Sequence, residues 1–356
     1  MSWTLICGYG SIGRRHYQNL RRLGCADIRL LRTSSPRKGR FDTPDRVRTY
    51  GDLDAALADS PAVVIVANPT SMHVDTARAA LAAGASVLLE KPVAADLDSA
   101  RSLQAAVTAA RGACSMAYCF RYHPLYRGLK DAAASGLLGR VFHARSWQAS
   151  YLPAWHPWED YRTSYAARAD LGGGVVRTLD HDLDILRWIL GQPRRVQALA
   201  SNRGLGLGVE DTADMLLDFE AAQAHVHVSF ARRDTSRGMS LVGDQGSADL
   251  DWTAATLTVR PAGQDPQITR LPADFDLNTV YVDMLNDALA GFAENPPQAA
   301  IPLEDGVAAL EIAVAALECS ASLSTTASER KPTEGLPWAL ASQPKEPSTG
   351  YPYEPN

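Results

Sequence analysis

Lysine is nearly missing from this chain. Of its 35 basic residues, only Lys38, Lys91, Lys130, Lys331 and Lys345 are lysines, and arginine supplies the rest. There is no basic surplus either: 40 acids leave a formal net charge of -5, which speaks against a nucleic-acid partner. Cysteine is sparse, with Cys7, Cys25, Cys114, Cys119 and Cys319 scattered and odd in number. Such a set reads as reduced cytosolic thiols and excludes a disulfide framework. Long apolar runs are absent; the best candidate, 306–319, is interrupted by Glu311 and Glu318 and falls short of the ~18 residues a membrane span needs. The opening MSWTLICGYG lacks a basic region followed by an apolar stretch and a cleavage site. The expectation is a soluble, cytoplasmic protein without a membrane partner.

What is present is globular. With 46% hydrophobic and 21% charged residues in 356, the chain is too apolar to be disordered. At roughly 100–200 residues per domain it predicts two domains. Across residues 1–120, short apolar runs (3–7, 28–31, 62–67 and 86–89) are separated by helical stretches such as 71–83. Strands that are apolar throughout and joined by helices predict a doubly wound parallel sheet, an α/β Rossmann fold. Beyond 120, a helix near 124–135 leads to GRVFHARSWQAS, an aromatic loop, and a helix at 175–190. Crowded strand-like runs follow at 196–201, 212–219, 225–230, 239–242, 248–252 and 257–259. Their short turns predict a second α+β domain, 121–328, with a large, open, mainly antiparallel sheet. Helices at 279–293 and 303–320 close it, and a Pro-rich polar tail spans 329–356. No internal repeat is visible.

Gly8-Tyr9-Gly10-Ser11-Ile12-Gly13 follows the first strand and opens a helix. There the glycines have work to do: a tight turn, close approach of a pyrophosphate, and tight helix packing, with the helix N-terminus facing the phosphates. An NAD-selective site would place an acid about 20 residues on. This strand ends in Leu31-Arg32-Thr33-Ser34, where Arg32, Thr33 and Ser34 suit a 2′-phosphate. The reading leans to NADP; NAD stays open, because Arg32 can instead stack on adenine.

Glu90-Lys91-Pro92 ends the fourth strand, at the carboxyl edge where such folds keep their ligands. A lysine in a chain that otherwise uses arginine looks chosen for its compact charge and tunable pKa. Gly172-Gly173-Gly174 precedes a helix in which Leu179, Leu183, Leu186 and Leu190 fall on a core face, and Thr178, His181 and Asp184 on a polar strip. His181, set among carboxylates, suits a general acid/base. His225 and His227 share one face of a strand without a clear third ligand, and the Asp180–Asp184 cluster lacks converging oxygens, so no metal is expected. Arg14, Arg15, Arg21 and Arg22 read as a solvated helix face.

GYGSIG, then NPTSMH (68–73), EKP (90–92) and a GGG helix carrying His181 resemble, in order and spacing over about 1–325, the glucose–fructose oxidoreductase/inositol dehydrogenase (Gfo/Idh/MocA) family. The resemblance implies nicotinamide-dependent hydride transfer at a hydroxyl or keto carbon of a sugar, sugar derivative or cyclitol. By position, Lys91 is similar to the family lysine at the reacting hydroxyl, and His181 to its acid/base histidine. Asn68, Pro69, Thr70 and His73 fall where the family packs the cofactor, with Glu90 beside it. Many members carry an acid one turn before the histidine, where this chain has Arg177 and Thr178; Asp184, ahead of Asp180, is the expected orienting carboxylate. Two other readings remain: a catalytically silent cofactor-binding sensor, and an NAD-dependent glycosidase using transient oxidation.

The aromatic loop predicts the substrate reader. Tyr151, Trp155, Trp158 and Tyr161 offer rings to sugar faces, while Arg162 and Arg121 suit a carboxylate or phosphate, and Thr178 a hydroxyl. The substrate expected is therefore sugar-like, carboxylated or nucleotide-linked. The exposed sheet face predicts a homodimer or homotetramer.

Overall fold

The computed structural model describes residues 3–32 and 43–329, with side chains to Leu323. Residues up to Ser320 form one compact unit; the expected tail lies outside the described residues apart from Glu329.

Six short strands build the first sheet: β1 (Thr4–Cys7), β2 (Ile28–Leu31), β3 (Thr49–Tyr50), β4 (Val63–Val66), β5 (Ser86–Leu89) and β6 (Cys114–Met116). All pair in parallel, in the order β3-β2-β1-β4-β5-β6. Helices α1 (Ser11–Arg22), α2 (Leu53–Ala58), α3 (His73–Ala82) and α4 (Leu97–Ala109) make the crossovers. Asp52 and Asp96 cap α2 and α4 by accepting backbone N–H bonds. Burial on both faces explains the unbroken apolar runs: β1, β5 and nearly all of β4 are fully buried. From β1 the chain winds outward to β2 on one side and to β4 on the other. A crevice therefore opens beyond the carboxyl ends of β1 and β4.

The second half begins with α5 (Pro124–Ala134) and β7 (Val141–Tyr151), then single turns through Leu171, α6 (Val175–Thr178) and α7 (His181–Leu190). Seven more strands follow: β8 (Arg195–Ser201), β9 (Thr212–Asp218), β10 (Gln223–Ser229), β11 (Ala231–Gly243), β12 (Gly246–Asp251), β13 (Thr256–Pro261) and β14 (Gln267–Arg270). The order is β14-β13-β12-β11-β7-β10-β9-β8, antiparallel except between β7 and β10. Helices α8 (Thr279–Phe292) and α9 (Leu303–Glu329) follow, the last elements among the described residues. Alternation is clear on β9, where Ala213, Met215 and Leu217 are buried while Asp214 and Leu216 face out.

Strand β7 holds the middle of this sheet, yet hydrophobic alternation hardly marks it. Its inward positions are Ala144 and Ser146, and the Ser146 hydroxyl donates to Asp182 beneath (2.6 Å). Helix α9 is, among the described residues, long and apolar enough by length and composition to cross a membrane. Its Val307, Ala309, Leu310, Ile312, Ala313 and Ala316 are buried in the core.

The helix expected at 175–190 is two helices. The break at Leu179-Asp180 (Leu179 φ -100°, ψ 35°) has a visible cause. Lys91 Nζ donates to the Thr178 carbonyl at 2.5 Å, taking the acceptor that a continuous helix would give to the N–H of Asp182. Thr178, His181 and Asp184 consequently do not form one strip along one helix.

Candidate active site

The three glycines of the loop differ in what a side chain would meet. Gly8 has φ +98°, and a Cβ there would stand 2.6 Å from the Ala67 carbonyl oxygen. A Cβ on Gly13 would stand 2.0 Å from the Gly8 carbonyl oxygen, so α1 sits hard against the end of β1. Around Gly10 a Cβ would meet nothing within 4 Å, and no side chain caps α1. The free space lies on the cavity side, where a pyrophosphate would approach the helix N-terminus. The residues present therefore fit a dinucleotide.

The cavity measures about 670 Å³. Gly8, Gly10, Ser11, Ile12, Arg32, Asn68, Pro69, Thr70, His73, Glu90 and Lys91 all reach its wall. Arg32 donates to Thr43 Oγ1 (2.6 Å), while Thr33 and Ser34 lie outside the described residues. Asn68 Nδ2 donates to Thr76 Oγ1 (2.9 Å). His73 is a strap: Nδ1 meets the Pro92 carbonyl (2.8 Å) and Nε2 the Asn68 carbonyl (3.0 Å), tying the turns after β4 and β5 together. Burial holds its pKa below the usual imidazole value. Glu90 meets His16 Nε2 at 2.7 Å and accepts from the Lys91 amide (3.3 Å), fixing the turn that carries the lysine.

Lys91 emerges from the end of β5 into the same cavity. Its ammonium is held by the Thr178 carbonyl and lies 3.4 Å from Asp180 Oδ1. Burial works to lower its pKa, but Asp180, Tyr165 and Glu90 outweigh it and keep the group charged. Asp180 is buried, with Tyr118 Oη donating to its other oxygen (3.2 Å). Burial pushes this carboxyl up to about 7 against the pull of Lys91.

His181 opens α7 and lines the cavity, its ring 4.4 Å from that of Phe120 between centroids. Burial, then the Lys91 and Arg237 cations, drives its pKa well below the ordinary value. Its Nδ1 is buried with no hydrogen-bond partner. The expected orienting carboxylates are elsewhere. Asp184 is clasped by Arg121 through Nε (3.0 Å) and Nη2 (2.5 Å), and Asp180 belongs to Lys91 and Tyr118. Arg121 also reaches Asp305 (2.7 Å), so it braces the interior instead of clamping a substrate. Thr178 is buried and offers its carbonyl to Lys91.

The aromatic loop divides. Trp155, Trp158 and Tyr161 line the cavity, whereas Tyr151 stacks under Arg233 (4.7 Å) and Arg162 pairs with Asp160 and covers the Tyr161 ring. Tyr165, Tyr281 and, behind them, Tyr118 and Arg237 escaped sequence reading. Tyr165 sits in the flagged loop; the others come from distant segments with no spacing signal. His225 and His227 face outward, both against Asp214 Oδ1 (3.1 and 2.9 Å).

Residues 3–118 match the model of an oxidoreductase family with an NAD-binding Rossmann fold, and residues 126–249 that of the GFO/IDH/MocA C-terminal domain. The chain belongs to the Gfo/Idh/MocA family. It is thus an oxidoreductase with the family's NAD-binding domain. This family member is 28% identical over 335 residues to 1,5-anhydro-D-fructose reductase of Ensifer adhaerens, covering 90% of this chain and 96% of the relative. It is 28% identical over 304 residues to inositol 2-dehydrogenase 2 of Saccharopolyspora erythraea, covering 82% and 83%. A structure of levoglucosan dehydrogenase in complex with NADH and levoglucosan shares the fold, with a TM-score of 0.77 at 18% identity, covering 90% and 98%.

Proposed function

We propose that this family member moves a hydride between a nicotinamide dinucleotide and a hydroxyl or keto carbon of a sugar, sugar derivative or cyclitol. One observation carries the reading: Lys91 and His181 reach the wall of the same cavity that the glycine loop opens onto. When bound, the nicotinamide supplies the hydride acceptor or donor. Lys91 holds positive charge beside the reacting oxygen, stabilising the alkoxide character that develops there. His181 presents its other ring nitrogen to the same oxygen. Trp155, Trp158 and Tyr161 offer ring faces to the sugar. The relatives named for an anhydrofructose and an inositol support this substrate class.

We infer NADP in preference to NAD. Arg32 stands at the end of β2, and the acids on the cavity wall, Glu90 and Glu159, are on other segments among the described residues. Replacing Arg32 by alanine should weaken NADPH by about 10-fold and NADH by less than about 2-fold, as one charge-assisted contact predicts. Fluorescence titration of both cofactors checks this; equal losses refute the preference.

Gly10→Ala separates cofactor from fold. The protein has room for the methyl group, so Tm should move by less than about 1 °C, while cofactor affinity falls by about 10-fold or more because the pyrophosphate needs that space. Unchanged affinity would place the dinucleotide elsewhere.

The activity test is a panel of inositols, anhydro-sugars, sugar acids and nucleotide sugars followed at the nicotinamide absorbance. Cofactor binding without turnover anywhere on the panel would return the silent-sensor reading. The outer sheet face, with Leu199 66% and Leu216 57% exposed, supports a homodimer or homotetramer, to be read by sedimentation. Five scattered cysteines, odd in number, suit the cytoplasm.

A further inference from the structure

We propose that Asp180, reached through Lys91, takes up the proton of the substrate hydroxyl, and that His181 serves the reacting oxygen as a neutral hydrogen-bond donor. The proposal rests on the oxidoreductase reading above and assigns its proton.

The geometry around the histidine comes first. An imidazole that accepts a proton at Nε2 must carry its resting proton at Nδ1 and end as an imidazolium. Here Nδ1 is buried and has no acceptor to hold that proton. Among the described residues no carboxylate pairs with the ring to stabilise the cation: Asp180 and Asp184 have other partners, and Asp182 takes the Ser146 hydroxyl and Arg237. The charges nearest in effect are cations, Lys91 on the cavity side and Arg237 behind Phe120 (4.1 Å to the ring centroid). A bare Nδ1 lone pair is the cheaper orphan, so the tautomer favoured is Nε2–H, which donates.

The lysine offers the opposite setting. Lys91 Nζ faces Asp180 Oδ1 at 3.4 Å, and that buried oxygen has no nearer partner. The Thr178 carbonyl fixes Nζ from one side, and Tyr118 Oη fixes the far carboxylate oxygen. Charged or titratable groups around Asp180 are Lys91, Tyr118, Asp184 and Tyr165; Lys91 and Tyr118 favour the carboxylate, and burial and Asp184 favour the acid. Its proton affinity is accordingly poised near neutrality, where a proton store is useful.

The step balances. Lys91 passes one ammonium proton to Asp180, which becomes a neutral acid, as the same nitrogen takes the hydroxyl proton of the substrate, so the group is an ammonium before and after the step. The carbon–hydrogen bond breaks with its electron pair leaving to the oxidised nicotinamide, and the carbon–oxygen bond becomes a carbonyl. Reduction runs the same transfers backwards, starting from protonated Asp180.

The test begins on the full chain without ligand, by infrared titration of carboxyl C=O bands with Asp carbon labelled. Wild type should show a buried carboxyl that titrates at about pH 7. Asp180→Asn should remove that band, Tyr118→Phe should move it to higher pH by removing a donor to the carboxylate, and His181→Gln should leave it in place. On a sugar or cyclitol that the panel selects, wild-type oxidation should rise with pH through the same inflection. Asp180→Asn should lose the inflection and about 100-fold in kcat, with KM within about 3-fold. His181→Gln should lose about 10-fold and keep the inflection. Asp184, raised to about 6, should give a second band that stays in all three variants; a band titrating at about pH 7 that survives Asp180→Asn overturns the proposal, as does an inflection that survives it and vanishes in His181→Gln. If no substrate turns over, the oxidoreductase reading fails on its own, and the infrared titration still decides whether Asp180 stores a proton.

Discussion

Lys91→Ala should lower kcat by about 1,000-fold while changing cofactor affinity by less than about 3-fold. Removing a single donor from a developing oxyanion costs about 10²–10³ in kcat, and lost proton transfer costs at least as much. The effects overlap in one side chain, so they do not simply multiply. Among the described residues no other lysine lines the cavity, and the arginines on its wall, Arg32 and Arg168, belong to other segments. Stability near neutral pH should change little, because Asp180, already pushed up to about 7 with Lys91 present, takes a proton once the ammonium is gone. Lys91→Arg restores charge but not an exchangeable ammonium, and should remain about 100-fold slow. Steady-state kinetics beside NADPH titration and a melting curve read all three. Retention of wild-type kcat within 3-fold in Lys91→Ala would remove the lysine from the chemistry.

Arg121→Met should destabilise the protein by about 3–5 kcal/mol, the range for stripping one partner from a buried ion pair. Arg121 joins three segments: its own, after β6; α7 through Asp184; and α9 through Asp305, which Arg187 also holds at 2.6 Å. Without the guanidinium, Asp184 would be a fully buried carboxylate lacking its bidentate partner. Burial raises this carboxyl to about 6 even with Arg121 in place, above the ~3.9 of an unfolded chain. A folded value above the unfolded one means that protonation favours the folded state, so stability is gained as pH falls from above 6 towards 4. The variant's folded value stands higher still, since the arginine was lowering it. Its deficit should therefore be largest at pH 8 and shrink by pH 5. Urea denaturation at both pH values measures it; a loss under 1 kcal/mol at pH 8, or one that grows on acidification, would show that the pair is not the brace described.

Local sequence determined a good deal of this protein. Apolar runs buried on both faces announce β1, β2, β4 and β5, because a strand covered twice has no polar face to show. The glycine loop is equally legible: Gly8 takes φ +98° and a Cβ on Gly13 would meet the Gly8 carbonyl oxygen, so the loop's own backbone demands both glycines. Lys91 stands out because the chain otherwise prefers arginine. Strands β3 and β6 give no such signal, being two and three residues long with Thr49 and Ser115 among them. Tertiary structure alone decided how the buried charges pair. Lys91 finds Thr178 87 residues away and breaks a helix that the leucine spacing had made continuous, while Arg121 finds Asp184 across 63 residues. Periodicity reports which face of an element is apolar, and it is blind to which distant cation a buried acid will meet. Desolvation makes that meeting obligatory, and only the packing of whole segments selects the partner.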